Sequence, residues 1–331
     1  MAKKPVLVLA TLLLTSLLAP TSHAATPKIA ILYDLGGRGD GAINDAAGAG
    51  VDAAKKKFAI NPLDIREMVS DGSEKDRLRR LRFLVTANYA MIIAIGHGYS
   101  KSVNTVSLEN PTTQFAIIDD TSITNLNVES MAFDSQQSAF LAGAIAASVS
   151  KKGAIGILLE SGGEAEIKAF IKGGKLVNPR INVASSIPTN PTPNSEVDRL
   201  FSMGIDALYS TWTSSNDVVL DLDNLNNKKQ SVKLIGVLPE QFFLKSPAAK
   251  KMLVGTINKS FNSAIYDAIA TGLQNQTYSE VFGDPATAFG RNYDVKNKGI
   301  SATLTALGAK AAPALAKAKS ALLTGKVKFL P

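Results

Sequence analysis

The stretch KIAILYDLGGRGDGAIN, residues Lys28–Asn44, runs from an apolar block (Ile29–Tyr33) through Asp34 into a glycine-dense turn, Gly36–Gly41, and on into helix-like sequence. A buried strand that ends in a carboxylate and a Gly-rich turn, then feeds a helix, is how open α/β sheets build ligand sites. The turn is not a dinucleotide fingerprint, because its spacing is G-G-x-G-x-G. No P-loop lysine follows, and Asp40 would repel a phosphate. Its glycines serve either backbone at positive φ or the close approach of a ligand. The embedded Arg38-Gly39-Asp40 is a coincidence of three residues in a Gly-rich loop.

Outward from this stretch, short apolar β-type runs alternate with helical patterns. Strands are expected at Lys28–Tyr33, Asp64–Val69, Met91–Ile95 and Gln114–Ile118. A second series is expected at Ala154–Leu158, Asn182–Ser186, Ala207–Ser210, Lys233–Val237 and Met252–Ile257. Helices are expected between them at Asn44–Phe58, Glu74–Ala87, Ser100–Leu108, Ser135–Val149, Glu164–Val177, Ser195–Met203 and Ser260–Thr271. Such alternation argues for βαβ units, parallel sheets and an α/β fold. Two series in succession argue for two similar lobes, the second opening after Phe133-Asp134 with a helix of small residues, Ala139–Ala147, suited to close packing. Pro188–Pro193 reads as a loop, and Ala302–Lys328, interrupted by Pro313, as surface helices.

Residues 1–24 show Lys3-Lys4, an apolar run from Val6 to Ala19 and then Ser22-His23-Ala24, the pattern of a signal peptide cleaved after Ala24. The run is too short for a membrane span. There is no cysteine, so neither a lipidated N-terminus nor a disulfide is expected. A free periplasmic protein, not membrane-anchored, is the expectation. Losing Lys3 and Lys4 with the leader lowers the formal charge from +8 by two, to +6. The remaining about 300 residues exceed one ordinary core and point to two domains. The basic clusters Lys55–Lys57, Arg77–Arg82, Lys151–Lys152 and Lys250–Lys251 are short, scattered and poor in aromatics, the pattern of solvated helix faces and not of a nucleic-acid surface.

In such sheets ligands sit beyond the carboxyl ends of the strands. The residues expected there are Asp34–Gly41, Gly96-His97-Gly98, Asp119-Asp120, Glu160–Gly163, Ser210–Asn216 and Leu238–Gln241. After leader removal His97 is the one histidine left, so zinc sites with several His or Cys ligands are out of reach. No nucleophile elbow accompanies it. Asp119 and Asp120 are adjacent and should point to opposite faces, one of them accepting hydrogen bonds from a ligand N–H or hydroxyl or, alternatively, capping the next segment. Trp212 serves either as a platform for a flat ligand or as loop packing. No catalytic residue, metal or cofactor is assigned.

Ordered motifs then resemble a known family. Asp34-Leu-Gly-Gly…Asp40-Gly-Ala-Ile-Asn44 looks like the D-x-G-G…D-x-S-F-N turn of the basic membrane protein family, substrate-binding proteins of ABC importers that include purine nucleoside receptors. Gly96, Phe115-Ala-Ile-Ile-Asp119, Asn127-Val128, Phe133…Gln137-Ser-Ala-Phe-Leu-Ala-Gly143, Asn178-Pro179, Ile235-Gly-Val237 and Asn258-Lys259…Tyr266-Asp-Ala follow in order. The resemblance implies a two-lobed, type I periplasmic binding protein fold closing on a nucleoside. Lobe 1 would comprise residues 25–132 and about 259–290, and lobe 2 residues 133–258 and about 291–331. It further implies that Asp34, Asn44 and Asp119 hold the base edge and that Lys259 reaches ribose hydroxyls. Ile43 stands where the family stacks an aromatic on the base, and Leu238 where it has a carboxylate. Glu240-Gln241 keeps the acid–amide pair. The ligand is then a free purine or another flat heterocycle, or Trp212 and Glu240 compensate at the sugar end. His97 completes the expected ligand-binding set. The partners implied are that small molecule and an ABC permease of the inner membrane, with the receptor itself a monomer. Two other classes stay open: an exported nucleoside hydrolase using Asp34 or Asp119 as base, and a periplasmic sensory component.

Overall fold

The computed structural model describes residues 27–188, 193–213, 215–228, 230–274 and 290–329. The leader, most of the Pro188–Pro193 loop, Ser214 and residues 275–289 lie outside the described residues. Among the described residues, twelve strands form two six-stranded sheets. The first contains β1 (Ile29–Tyr33), β2 (Ile65–Val69), β3 (Met91–Ile95), β4 (Gln114–Ile118), β5 (Val128–Phe133) and β11 (Gly290–Tyr293). The second contains β6 (Ala154–Leu158), β7 (Asn182–Ser186), β8 (Ala207–Ser210), β9 (Lys233–Leu238), β10 (Leu253–Lys259) and β12 (Ile300–Leu304). The strand orders are β2-β1-β3-β4-β5-β11 and β7-β6-β8-β9-β10-β12, the same winding twice. All pairings are parallel except β10 with β12.

The helices are α1 (Ile43–Phe58), α2 (Glu74–Thr86), α3 (Ser100–Glu109), α4 (Ser135–Val149), α5 (Glu164–Val177), α6 (Pro193–Ser202), α7 (Asp217–Asn227), α8 (Pro247–Lys250), α9 (Phe261–Gly272) and α10 (Ala312–Leu323). Because they cover both faces, central strands read as continuous apolar runs: every residue of β1, β3 and β6 is buried. Helix α4 is buried nearly all round, the mark of a helix inside a core. Its Gly143 and the Gly173 of α5 let the two helix backbones touch. A Cβ at Gly143 would lie 2.1 Å from the Phe170 carbonyl oxygen, and one at Gly173 2.0 Å from that of Phe140.

Three crossovers join the sheets, Phe133 to Ser135, Lys259 to Phe261 and Tyr293 to Ile300. They run side by side. Asp134 N donates to Tyr293 O at 2.9 Å, Ser260 N to Gly299 O at 2.9 Å, and Val295 N to Gln137 Oε1 at 3.0 Å. Each supplies an aromatic ring: Phe133 stacks on Phe261 with centroids 5.0 Å apart and meets Tyr293 at 5.3 Å.

The structure adds three strands to those expected from the sequence. β5, VESMAF, breaks its apolar run with Glu129 and Ser130, both buried. β11 and β12 are made by pairing with partners more than 40 residues distant in sequence. β12 occupies the start of the segment expected to be tail helices, and Pro313 sits in the first turn of α10 instead of interrupting it, where its missing N–H costs nothing.

Candidate functional site

In doubly wound sheets the chain diverges to opposite sides at a switch point, which opens a crevice beyond the strand ends. Here the switch points fall between β1 and β3 and between β6 and β8, and loops from both line one cavity of about 310 Å³. That is the small end of the range for small-molecule sites. The first lobe contributes Ile43, Gly96, His97 and Asp119. The second contributes the β6–α5 loop Leu159–Gly162 with Glu166, then Tyr209, Thr211 and Thr213 around the end of β8, and Val237 and Glu240 around the end of β9. The crossovers add Ser135, Ser138 and Ala139 of α4, with Lys259 and Phe261.

The centre of the site is an ion cluster that joins the lobes. Lys259 Nζ lies 3.0 and 3.2 Å from the two Asp119 carboxylate oxygens and 2.8 Å from Glu240 Oε1. Burial alone would lower the ammonium's pKa, but the Glu240 and Asp119 carboxylates outweigh it and hold the group above the usual lysine range. Asp119 is at φ +67°, a left-handed conformation that aspartate tolerates and most residues do not. Its N–H donates to Met131 O at 2.7 Å, so the kink is anchored to the neighbouring strand. Residues held in sparsely populated backbone regions cluster at ligand clamps.

Around it, each loop is braced. Glu160 Oε2 accepts from Thr213 N at 2.9 Å and from the Thr213 hydroxyl, while Glu160 N donates to Thr211 Oγ1 at 3.0 Å. Glu166 Oε1 accepts from Ser135 Oγ at 2.8 Å, and its Oε2 accepts from Gly163 N at 3.0 Å at the start of α5. Burial pushes the Tyr209 phenol pKa up, and its ring stacks on Phe170 at 6.1 Å. Buried Gln241 ties the strand ends together, donating to Ser210 O and Trp212 O and accepting from Val237 N at 2.7 Å.

Of the residues singled out from the sequence, Ile43, His97, Asp119, Glu240 and Lys259 meet at the cavity. Asp34, Asn44 and Trp212 do not line it. Asp34 lies behind Gly98, gripped by the Arg77 fork at 2.7–3.1 Å. Asn44 is 1% exposed, and its amide donates to Leu35 O at 3.3 Å from beneath the Gly-rich turn. Trp212 is 3% exposed in the second lobe's core, the loop-packing alternative. Asp119 and Asp120 do diverge: Asp120 caps its own loop, accepting from Ser122 N at 2.7 Å. All four glycines of the turn have positive φ. Asp40 and Asp45 gather the turn's N–H groups, and Lys245 of the second lobe donates to Gly41 O at 3.2 Å across the rim. Arg38 of the Arg-Gly-Asp triplet is tied to Asp52 and Glu67.

The basic run Arg77–Arg82 departs from a solvated face, since Arg77 holds Asp34 and Arg80 holds Asp76, which is itself 4% exposed. Glu160, Glu166, Tyr209 and Phe261 line the site with no sequence signal beyond the strand ends at the Glu160 and Ser210 loops. Among the described residues no group of three or more His, Cys, Asp and Glu is placed to hold a metal. No helix among them is long and apolar enough to cross a membrane. The arrangement supplies acceptors, one ammonium and aromatic walls, chemistry suited to holding a polar solute.

Comparison with known proteins agrees. Residues 27–283 match the family model for "ABC transporter substrate-binding protein PnrA-like". Basic membrane protein A1 of Borrelia garinii subsp. bavariensis is 33% identical over 196 residues, 55% of this chain and 56% of that protein. The chain thus spans a little over half the length of the relatives it matches at about that identity. The ABC transporter nucleoside-binding protein BmpA of Lactococcus lactis subsp. cremoris is 24% identical over 319 residues, 91% of this chain and 88% of that one. An ABC transporter solute-binding protein of Aeropyrum pernix K1 has the same fold, with a TM-score of 0.65 at 16% identity over 92% of this chain and 93% of that one. Taken with its two switch points facing a single cavity, the chain belongs to the basic membrane protein family of PnrA-like ABC transporter substrate-binding proteins.

Proposed function

We propose that this chain is a periplasmic receptor that captures a purine nucleoside or a related flat heterocycle and delivers it to an inner-membrane ABC permease. It is exported by a leader cleaved after Ala24, carries no membrane anchor, works as a monomer and makes or breaks no bond in its ligand. The observation that carries the reading is the cavity itself, walled by strand-end loops of both sheets and crossed by Lys259 between Asp119 and Glu240. The Lactococcus relative's name, nucleoside-binding, supports the ligand class.

Binding is by closure. The lobes, divided at the three crossovers, swing about the Phe133–Phe261–Tyr293 cluster, and a ligand that touches both walls favours the closed form. Asp119 and Lys259 take the polar edges of the ligand, with Glu240, His97 and Ile43 beside them. Asp34 and Asn44 stiffen the first wall from behind, and Trp212 the second. A thermal-shift screen over purines, pyrimidines and their nucleosides tests the reading, because ligand at 100 times its Kd adds about 2.7 kcal/mol of stability. Asp119→Asn, which retains the backbone tolerance and leaves Glu240 beside Lys259, is expected to abolish the ligand-induced shift while the protein still folds with a somewhat lowered unliganded midpoint. A shift of undiminished size in that variant removes Asp119 from the site. Release of free base from any nucleoside in the screen overturns the non-catalytic reading.

A further inference from the structure

The positive charge of this chain is unevenly placed. Without Lys3 and Lys4 it holds 34 lysines and arginines against 28 aspartates and glutamates, and segments 164–180 and 302–329 alone hold nine against two. These two segments carry +7, and everything else beyond the leader is left at −1. The structure sets them side by side. Lys168, Lys172 and Lys175 recur at helical spacing on the exposed side of α5. Lys317 of α10 donates to Leu176 O at 3.0 Å, at the end of α5. Lys172 donates to Lys328 O at 3.5 Å and lies 5.4 Å over the Phe329 ring. Lys326 and Lys328 are exposed in the same tail. Helix α4, on which both α5 and α10 pack, carries no charged residue.

Little on this face offsets the charge. Segment 302–329 contains no aspartate or glutamate. Glu164 meets Lys168 at 2.7 Å, but side chains 75% and 83% exposed gain little from each other. Glu166 turns to the cavity, bonded to Ser135 and Gly163. None of these lysines lines the cavity, so their charge does not serve the solute site. A broad field of one sign draws an extended partner of the other. Lysine is a compact ammonium on a flexible stem, without the rigid fork by which arginine picks out single carboxylates, so the face suits a diffuse anionic surface better than a shaped acidic peptide. The tail also intersperses Leu323, Val327 and Phe329 with Lys326 and Lys328, and Leu323 is exposed. Lysines interleaved with apolar side chains fit a lipid interface, where ammonium groups meet headgroups and apolar groups reach the acyl boundary. We propose that the α5–α10 face holds this protein, reversibly and without an anchor, against an anionic phospholipid surface.

Flotation with vesicles tests it on the mature protein, beginning at Ala25, which lacks the apolar run of the leader. Vesicles of equal phosphatidylglycerol and phosphatidylcholine are expected to carry the protein up at about 20 mM salt and to release it at about 0.5 M, as screening sets in. Vesicles of phosphatidylcholine alone should leave it behind. Lys168→Gln, Lys175→Gln, Lys326→Gln and Lys328→Gln together should weaken binding by about tenfold or more, since each lysine near an anionic surface contributes severalfold. The same four charges removed elsewhere, as Lys56→Gln, Lys57→Gln, Lys101→Gln and Lys250→Gln, should weaken it by no more than about twofold. All eight lysines are exposed, and circular dichroism melts check that both variants fold. No flotation with the anionic vesicles, equal flotation with both kinds, or equal loss in the two variants overturns the proposal. Tighter binding to soluble polyglutamate than to anionic vesicles assigns the face to a protein partner and overturns it too. Each of these results leaves the reading of the cavity as a solute site untouched.

Discussion

Replacing Lys259 with methionine removes the ammonium and keeps most of the side chain's bulk. The group sits 2.8 Å from Glu240 and 3.0 Å from Asp119, with side-chain exposures of 19%, 13% and 25% for the three residues. Removing one partner of a buried ion pair costs roughly 3–5 kcal/mol, because the other charge is left without compensation. Residual exposure places this cluster at the lower end, about 3 kcal/mol. For about 300 residues that lowers the thermal midpoint by about 5 °C. Asp119 and Glu240 then face each other with no cation between them, so adding Glu240→Gln in the Lys259→Met background should recover part of the loss. A double-mutant cycle followed by circular dichroism measures the coupling. The lysine pKa is raised in the folded state, so its contribution is fully present below the unfolded value of about 10.4 and is lost only as pH rises through the folded one. The deficit of Lys259→Met should therefore be the same at pH ~6 as at pH ~9. A midpoint within about 2 °C of the parent, or no coupling to Glu240, would refute the bridge.

Glu129 offers the opposite pH signature. Burial, aided by Asp267 and opposed by Arg291, pushes its pKa from 4.5 up to about 7. A carboxyl whose pKa is raised on folding loses stability as pH climbs from the unfolded value through the folded one, here by about 3 kcal/mol between pH ~4.5 and ~7. Glu129→Gln should accordingly gain on the parent as pH rises from 5 to 8, and thermal melts with a pH-independent difference would contradict the assignment. At the α4–α5 crossing, Gly143→Val would drive a Cβ to 2.1 Å from the Phe170 carbonyl oxygen. The expected cost is about 3 kcal/mol or more despite the residue's modest steric size. A variant melting within about 2 °C of the parent would mean the helices do not approach as described.

What the sequence made legible was what is decided locally. β1, β3 and β6 are covered on both faces, so their apolar runs announce themselves without knowledge of any partner. β5 hides because Glu129 and Ser130 are buried by neighbours that only the assembled lobe supplies, Arg291 of β11 among them. The site divides the same way. That a strand ends at Asp34, at Asp119 or before Glu160 can be read from periodicity, and strand ends are where such folds bind. Whether a strand-end carboxylate faces the cavity depends on what else reaches it. Asp34 is taken by Arg77, which lies 43 positions away in a run that reads as solvated surface. Asp119 and Asp120 alternate as adjacent residues must, yet alternation alone does not choose between them. The left-handed turn at Asp119, anchored on Met131 O, sends one carboxylate to Lys259 and the other to Ser122. Lys259 itself ends a strand of the second sheet while binding a carboxylate of the first. A residue with that double allegiance has no local signature, because its role exists only once both sheets are built and their strand-end loops meet at the cavity.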